Sequence, residues 1–489
     1  MSISVRASGW ITAPRGSSVL RGMVAAMNNS LIELDSETSR IRAALVNSGR
    51  HTFSEAESKL AASRLSLVVG ANAVNTPAGQ AAFLTATATG TRCFGSVTVH
   101  GPLSQPLLFP LPIAAKSLSE AAAYFGAQTT EASLTSRRVL IGSDMEPGDG
   151  WSVQAFWNGW TAGTAPGRRP VSIGRGDCAL AGVTAGALAV GQAFLAEQGD
   201  LRAGETAQSL SLWAPGLCEF GPDQIGPCSS QVYLPRELWL IGLGNLGQAY
   251  LWSLSLLPYE RPEDVLLFFQ DDQKIAKENW GTSILVQRGR YGILKTRVAE
   301  EWATGRGYQA RRVDRRLDEH LFRSDAEPGI AMAGLDGMLA RRLLGRRGFE
   351  YVIDAGLGAT VNDYQKFRIN VFGCSEDPAD HFRGVEDQPV QVTQELMQLS
   401  AYQDLARVRG DGGCGAAMLA GSSVAVPFVS AVAGAFAVTQ AIRIASAQAH
   451  HVGITGDVCD LSSVRAALGR TPDRISVPNM LATSTCVHR

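Results

Sequence analysis

The chain has 489 residues, room for two to four domains, and 45% of them are hydrophobic, ample for sizeable cores. A formal net charge of −1, with no interleaving of basic and aromatic residues, excludes a general nucleic-acid-binding role. No basic segment precedes an apolar core at the amino terminus, and the eight cysteines show no paired spacing, so the expected compartment is the reducing cytoplasm.

Taken in chain order, the first half offers a strand from Leu65 that ends at Gly70 and continues Ala71-Asn72-Ala73. It has no GxGxxG, and no later lysine and aspartate stand in register with it. Further on, Gly186-Ala187-Leu188-Ala189-Val190-Gly191-Gln192-Ala193 is echoed by Gly434-Ala435-Phe436-Ala437-Val438-Thr439-Gln440-Ala441, six of eight positions being identical. That suggests a repeat. Between the copies, Gly216 to Ser230, with Gly221-Pro222 and Gly226-Pro227, reads as a domain boundary.

The second half is richer. An apolar strand, Leu238 to Ile241, runs into Gly242-Leu243-Gly244-Asn245-Leu246-Gly247, and a helical pattern follows from Ala249 to Leu257. Glycines at 242 and 244 let the backbone turn tightly beside a phosphate or ribose, and Gly247 lets the helix pack on the strand. A second strand, Val265 to Phe269, leads to Asp271, placed to accept from ribose hydroxyls. By itself this motif fits NAD or FAD as well as ATP. Lysine is scarce (Lys59, Lys116, Lys274, Lys277, Lys295 and Lys366), and Lys295 stands at the start of a helix over 293–302, where an ammonium can reach a polyphosphate. Strand 329–333 ends at Asp336, a carboxylate fit to hold magnesium beside a triphosphate, or simply to cap the next helix. Strands over 351–353 and 367–372 follow.

The segment 377–413 is polar with weak strand patterns and reads as a crossover loop. Gly415 to Ile442 carries no charge and is long enough to span a bilayer, but Ser422, Ser423, Pro427, Thr439, Gln440 and many alanines dilute it. A buried helix pair beneath a sheet is the expectation.

From about Leu238 to Ile444 the chain resembles the ThiF/MoeB and ubiquitin-activating enzyme superfamily, and is most like a bacterial activating-type enzyme of an antiphage, Bil-type ubiquitin-like conjugation operon. The resemblance rests on the glycine turn, the acidic strand end, Glu278-Asn279-Trp280-Gly281-Thr282-Ser283, Lys295 and Asp336. It implies an α/β fold of two Rossmann-like ThiF-type adenylation units fused as an internal pseudo-dimer. Residues 1–225 would be the degenerate unit and 232–489 the active one, with a crossover loop at about 374–413. Gly242, Gly244, Gly247, Asp271, Asn279, Thr282, Lys295 and Asp336 would contact ATP, and Asp336 would hold magnesium.

Cys414 would be the thioester nucleophile, with Cys374 in reserve. Arg341 or Arg342 would be the arginine that follows the aspartate, and Arg15 or Arg21 a basic residue lent by the other half. The expected partners are a ubiquitin-like protein ending in glycine and a conjugating enzyme, with no nucleic acid and no membrane. This sequence departs from the superfamily pattern in having Thr282 at the arginine position, Gln273 at the second acidic position and Gly337 after Asp336. No CxxC pairs occur, so structural zinc is not expected. The competing readings are a sulfur-carrier-protein adenylyltransferase, an NAD-dependent oxidoreductase and a non-catalytic scaffold.

Overall fold

A computed structural model of the chain describes residues 36–130, 137–216, 225–385, 390–409, 414–469 and 482–483. Two short helices open it, α1 (Ser39–Val46) and α2 (Phe53–Ala62). The second starts at a capping box in which the Thr52 side chain and the Glu55 carboxylate each accept from the other's backbone N–H. Then come β1 (Arg64–Val69), α3 (Ala71–Val74), α4 (Pro77–Cys93), β2 (Ser96–His100), α5 (Leu118–Tyr124), β3 (Gln128–Thr129), β4 (Arg137–Ile141), β5 (Trp151–Asn158), β6 (Thr161–Pro166), α6 (Ala179–Glu197) and β7 (Gln208–Ser211). The strands form one sheet in the order β3-β2-β1-β4-β5-β6-β7. Neighbours are parallel from β3 to β5 and antiparallel from β5 to β7.

The second half opens with β8 (Tyr233–Leu234), which pairs with β17 (Ala482–Thr483). Next are β9 (Glu237–Ile241), α7 (Asn245–Ser255), β10 (Leu266–Gln270), α8 (Asn279–Thr282), α9 (Lys295–Gly305), β11 (Gln309–Val313), β12 (Ile330–Ala333), α10 (Met338–Arg342), β13 (Tyr351–Leu357) and β14 (Lys366–Gly373). Helices α11 (Pro378–His381), α12 (Val390–Met397), α13 (Ser400–Arg409), α14 (Cys414–Ala420) and α15 (Pro427–Ala445) precede β15 (His451–Asp457) and β16 (Asp460–Leu468). The sheet order is β11-β10-β9-β12-β13-β14-β15-β16. It is parallel from β11 to β13 and antiparallel beyond. Strand for strand, this repeats the first sheet with one strand added.

The echoed octapeptides occupy matching places. Each lies in the long helix between the sixth and seventh strands of its sheet, α6 and α15. The shared glycine explains the spelling. A Cβ at Gly186 would stand 2.3 Å from the Ala82 carbonyl of α4, and one at Gly434 2.9 Å from the Ala249 carbonyl of α7. A side chain in either place would push the long helix off its neighbour. The two long helices also meet each other, Phe194 and Phe428 having ring centroids 5.8 Å apart. Both rings are fully buried, worth about 1.5–3 kcal/mol each. Trp252 Nε1 of α7 donates to Thr85 Oγ1 of α4 at 3.0 Å. The halves thus share one core of α4, α6, α7 and α15.

Two helices among the described residues, α6 and α15, are long and apolar enough to cross a membrane, but 94% and 100% of their apolar windows are buried in this core. That agrees with the buried pair expected at 415–442, which is α14 and α15.

The crossover segment departs from its reading. Its described part is helical, not strand-like. Leu396, Leu399, Tyr402, Leu405 and Ala406 recur at helical spacing and put one face against the core. Tyr402 is the anchor. Its hydroxyl donates to Asn47 Oδ1 at 2.6 Å, and its ring meets Phe53 edge-on at 5.1 Å. Helix α13 of the second half is therefore seated on α1 and α2 of the first.

Candidate nucleotide site

The carboxyl edge of the second sheet gathers most of the expected residues. Gly242 has φ 81°, and a Cβ there would lie 2.6 Å from the Gly334 carbonyl, so only glycine fits. A Cβ at Gly247 would lie 2.1 Å from the Gly242 carbonyl. At Gly244, which starts α7, a Cβ would meet nothing within 4 Å. Open space on the glycine at a helix start is room for a ligand to reach the backbone. Beside it, the Asn245 side-chain amide is buried with neither its oxygen nor its nitrogen hydrogen-bonded.

Asp271 braces this turn. One carboxylate oxygen accepts the Leu243 N–H at 2.7 Å and the other accepts the Gln273 N–H at 2.8 Å. Gln273 carries the chain of bonds onward: its carbonyl accepts the Lys295 N–H at 3.0 Å and its Oε1 accepts from Lys295 Nζ at 2.6 Å. Lys295, the first residue of α9, is only 7% exposed. Among the described residues no carboxylate pairs with it. A buried ammonium held by a neutral amide has no described counter-ion and can still pair with an anion.

On the other side, Asp336 lies exposed in the turn after β12, and no described group bonds its carboxylate. The turn is fixed from beneath. Arg341 Nη2 donates to the carbonyls of Leu335 (3.0 Å) and Ala355 (3.1 Å), while Nη1 reaches Asp354 Oδ2 at 2.5 Å. Asp354 is fully buried. Burial pushes its carboxyl up to about 6, against the pull of Arg341, Asn370 and Arg368. Arg341 is therefore a structural cation under the Asp336 turn. Arg342 turns to the carbonyls of Phe382 and Val385.

The Asn279 segment is used internally. Asn279 Oδ1 accepts the Ala276 N–H at 2.9 Å, and Thr282 is 5% exposed at the end of α8. Thr282 presents no cation and little surface. The basic groups at this edge are others: Arg288 lies 3.9 Å over the Trp280 ring and pairs with Glu37 at 2.8 Å, and Arg40 of α1 reaches Glu278 at 3.8 Å and the Ser423 carbonyl at 3.2 Å. Arg40 and Glu37 bring the first half to the second half's site, which sequence reasoning missed. Their signal was faint, a short helix preceding the first strand. Arg15 and Arg21 lie outside the described residues.

Cys374 is exposed just after β14. Cys414 begins α14, and its side chain lies outside the described residues. Cys178 is buried at the start of α6, with its thiol pushed up to about 12 by burial. The two cysteines preceding the echoed helices are not equivalent, since Cys178 abuts α6 whereas α14 intervenes between Cys414 and α15.

An aspartate does stand in register in the first half, contrary to the sequence reading. Strand pairing sets Val69 beside Ile141 and Ile241 beside Ala333. Counting on, Gly70 matches Gly242, Asn72 matches Gly244, and Asp144 matches Asp336. A Cβ at Gly70 would collide with Asp144 Oδ1 at 1.8 Å, and Asp144 Oδ2 accepts the Asn72 N–H at 3.2 Å. The acid lies in the turn instead of facing it. Pro102 stands where Asp271 stands, and the buried Leu118 begins the helix that corresponds to α9. The register escaped sequence reading because no glycine motif marks this turn.

Both halves match models of one family: residues 64–212 fit the BilD N-terminal domain and residues 234–448 the BilD C-terminal domain. The chain belongs to the BilD family. A curated relative, the bacterial E1-like protein BilD of Collimonas sp. (strain OK412), is 36% identical over 299 residues, 60% of this chain. The match spans 62% of that relative's length. Among solved structures, E. coli MccB with ATP aligns over 51% of this chain and 68% of its own at 12% identity and a TM-score of 0.31. E. coli MccB alone aligns over 53% and 70% at 14% identity and a TM-score of 0.33.

Proposed function

We propose that this BilD-family chain activates a ubiquitin-like protein by adenylating its carboxyl-terminal glycine with ATP. The observation that carries this is the bonded run from the open glycine turn through Asp271 and Gln273 to Lys295, a buried lysine without a carboxylate partner among the described residues. ATP fits it as co-substrate. The Gly242–Gly247 turn and the start of α7 would take phosphate oxygens, Asp271 the ribose, and Lys295 the polyphosphate charge. The buried, unbonded Asn245 amide is a further polar group ready for a ligand. Asn279 and Thr282 act here by shaping the loop. Magnesium typically rests on one or two carboxylates plus substrate phosphates, and the exposed Asp336 suits that role. Bound there, it would neutralise the departing pyrophosphate.

The partner's glycine carboxylate attacks the α-phosphate, its oxygen forms the new P–O bond, and pyrophosphate leaves. Two described arginines of the first half reach this edge; Arg92 is taken up by the carbonyls of Ser283, Ile284 and Val286, and we assign Arg40 to the phosphates. In the second step a Cys414 thiolate attacks the acyl carbon, AMP departs and a thioester remains, for transfer to a conjugating enzyme in the cytoplasm. Cys374 is the alternative nucleophile. We further read the two matching sheets as an internal pseudo-dimer, its first unit unable to take nucleotide because the Asp144 carboxylate fills the turn where phosphate would bind.

Pyrophosphate exchange tests the first step. Labelled pyrophosphate should enter ATP only with magnesium and a ubiquitin-like protein ending in an exposed glycine, and the Asp336→Ala variant should lose the exchange. No exchange with such a partner would sink the assignment in favour of a scaffold. For the second step, a thiol-sensitive adduct should survive Cys374→Ala and vanish with Cys414→Ala.

A further inference from the structure

The shared topology creates two seams, where the helix ends of one half meet the strand-end edge of the other. At the first, Arg92 from the end of α4 crosses over. Its guanidinium donates to the carbonyls of Ile284 (2.8 Å), Val286 (3.0 Å) and Ser283 (3.3 Å) of the second half. At the second seam, the α7 end at Leu256–Tyr259 faces Leu108–Pro110 and the starts of α4 and α6. A cavity of ≈ 580 Å³ lies between them. That volume is in the range of pockets that enclose small organic ligands, about 300–1,000 Å³, which favour domain interfaces.

The lining is mostly apolar, with Phe109, Pro110, Leu256, Pro258 and Tyr259 among it. Its polar groups are unequal. Arg175 and Asp177 neutralise each other at 2.7 Å, and the Ser229 N–H and hydroxyl complete the Asp177 carboxylate at 2.7 and 2.8 Å. Burial opposes the charge on Asp177, but these bonds outweigh it and hold the carboxyl below its ordinary range. Arg306 is different. It is 4% exposed and lines the cavity, and among the described residues it has no carboxylate partner. Its Nε and Nη2 donate to the carbonyls of Ser255 (3.0 Å) and Leu257 (3.2 Å), which leaves Nη1 without a bond. A buried guanidinium with no counter-ion is costly unless an anion joins it.

We propose that this inter-half cavity binds a small monocarboxylate with an apolar body, its carboxylate on Arg306 and its body against Phe109, Leu256 and Tyr259. The charge count selects a single negative charge: Arg306 supplies one unmatched positive charge, and the ionised Asp177 on the same lining repels a dianion. This site is separate from the glycine turn and does not depend on the adenylation reading.

Calorimetry of the full chain with decanoate, decanol and decyl phosphate tests it. Decanoate should bind saturably at one per chain, at least tenfold tighter than either of the other two. Arg306→Gln should weaken decanoate at least tenfold. Because Arg306 also holds carbonyls of its own half, Leu108→Trp serves as a second variant, placing bulk at the half-exposed mouth without touching those bonds; it should weaken decanoate at least tenfold as well. Absence of saturable binding would overturn the proposal, as would decanol binding as well as decanoate, decyl phosphate binding more tightly, or decanoate affinity unchanged in both variants.

Discussion

The two sheets are built to one plan, yet their strand-end edges have opposite character. In the second half the glycine turn is open, its acid stands apart from the turn, and a buried lysine has no counter-ion among the described residues. In the first half the corresponding acid, Asp144, folds into the turn and takes the N–H that a phosphate would need. A carboxylate there both fills the space and repels anions. A single register position thus carries opposite chemistry in the two halves, decided by whether the turn beside it is closed. The fold can be shared while the site is not.

The largest effect should come from beneath the open edge. Arg341→Met removes the cation that joins Asp354 to the Leu335 carbonyl, and breaking a buried pair from one side costs about 3–5 kcal/mol. The loss should grow with pH. Asp354 already sits at about 6; without Arg341 it rises further, so the folded variant holds a proton that the unfolded chain releases. Stability then falls by up to about 1.4 kcal/mol per pH unit above the unfolded carboxyl range, until the folded group itself titrates. Denaturant titrations at pH 5 and pH 8 check this, and an equal loss at both values would contradict the pairing. The first half has Ala155 at the register position of Asp354, so among the described residues it has no such pair to break.

Lys295→Ala should reduce pyrophosphate exchange roughly 100- to 1,000-fold, the cost of removing one fixed charge-stabilising donor, with the melting temperature little changed. Asn72→Ala in the first half's turn should leave exchange within about twofold. Comparable losses from the two substitutions would erase the functional distinction between the halves.

Much of this asymmetry was legible in the chain. The glycine turn, Asp271, Lys295 and Asp336 lie at strand ends and helix starts, where an alternation of apolar runs and glycines locates them within a few residues. The echo of 186–193 in 434–441 marked two helices that hold matching places in the two sheets, because helix-on-helix contact demands glycine at one point of each. Other features were hidden for physical reasons. Helix α13 was missed since its apolar face is narrow and partly supplied by Tyr402, whose anchor, Asn47, is hundreds of residues away. The roles of Arg40 and Arg341 depend on which carbonyls and carboxylates the fold brings near, and spacing along the chain holds no record of that. Thr282 read as a nucleotide contact, but it is buried at the end of a four-residue helix.

Gln273 offers a finer cut. In Gln273→Glu, a carboxylate would replace the amide against Lys295 Nζ and neutralise the charge that we assign to phosphate. The Michaelis constant for ATP should rise about tenfold, roughly 1.4 kcal/mol, with kcat within about threefold, while adenosine inhibits as before. If Gln273 only supports the loop, ATP and adenosine will weaken together.

The smallest effect should come from the closed edge itself. Asp144→Asn keeps the size of the side chain and an acceptor for the Asn72 N–H, so stability should change by no more than about 1 kcal/mol. It removes the charge that repels anions, but Pro102 still stands in place of a ribose acceptor and Leu118 in place of the lysine. Equilibrium dialysis should therefore still find one ATP per chain in this variant. A second bound ATP would mean that Asp144 alone keeps the first half closed, and that the two edges differ by one charge instead of by their whole set of residues.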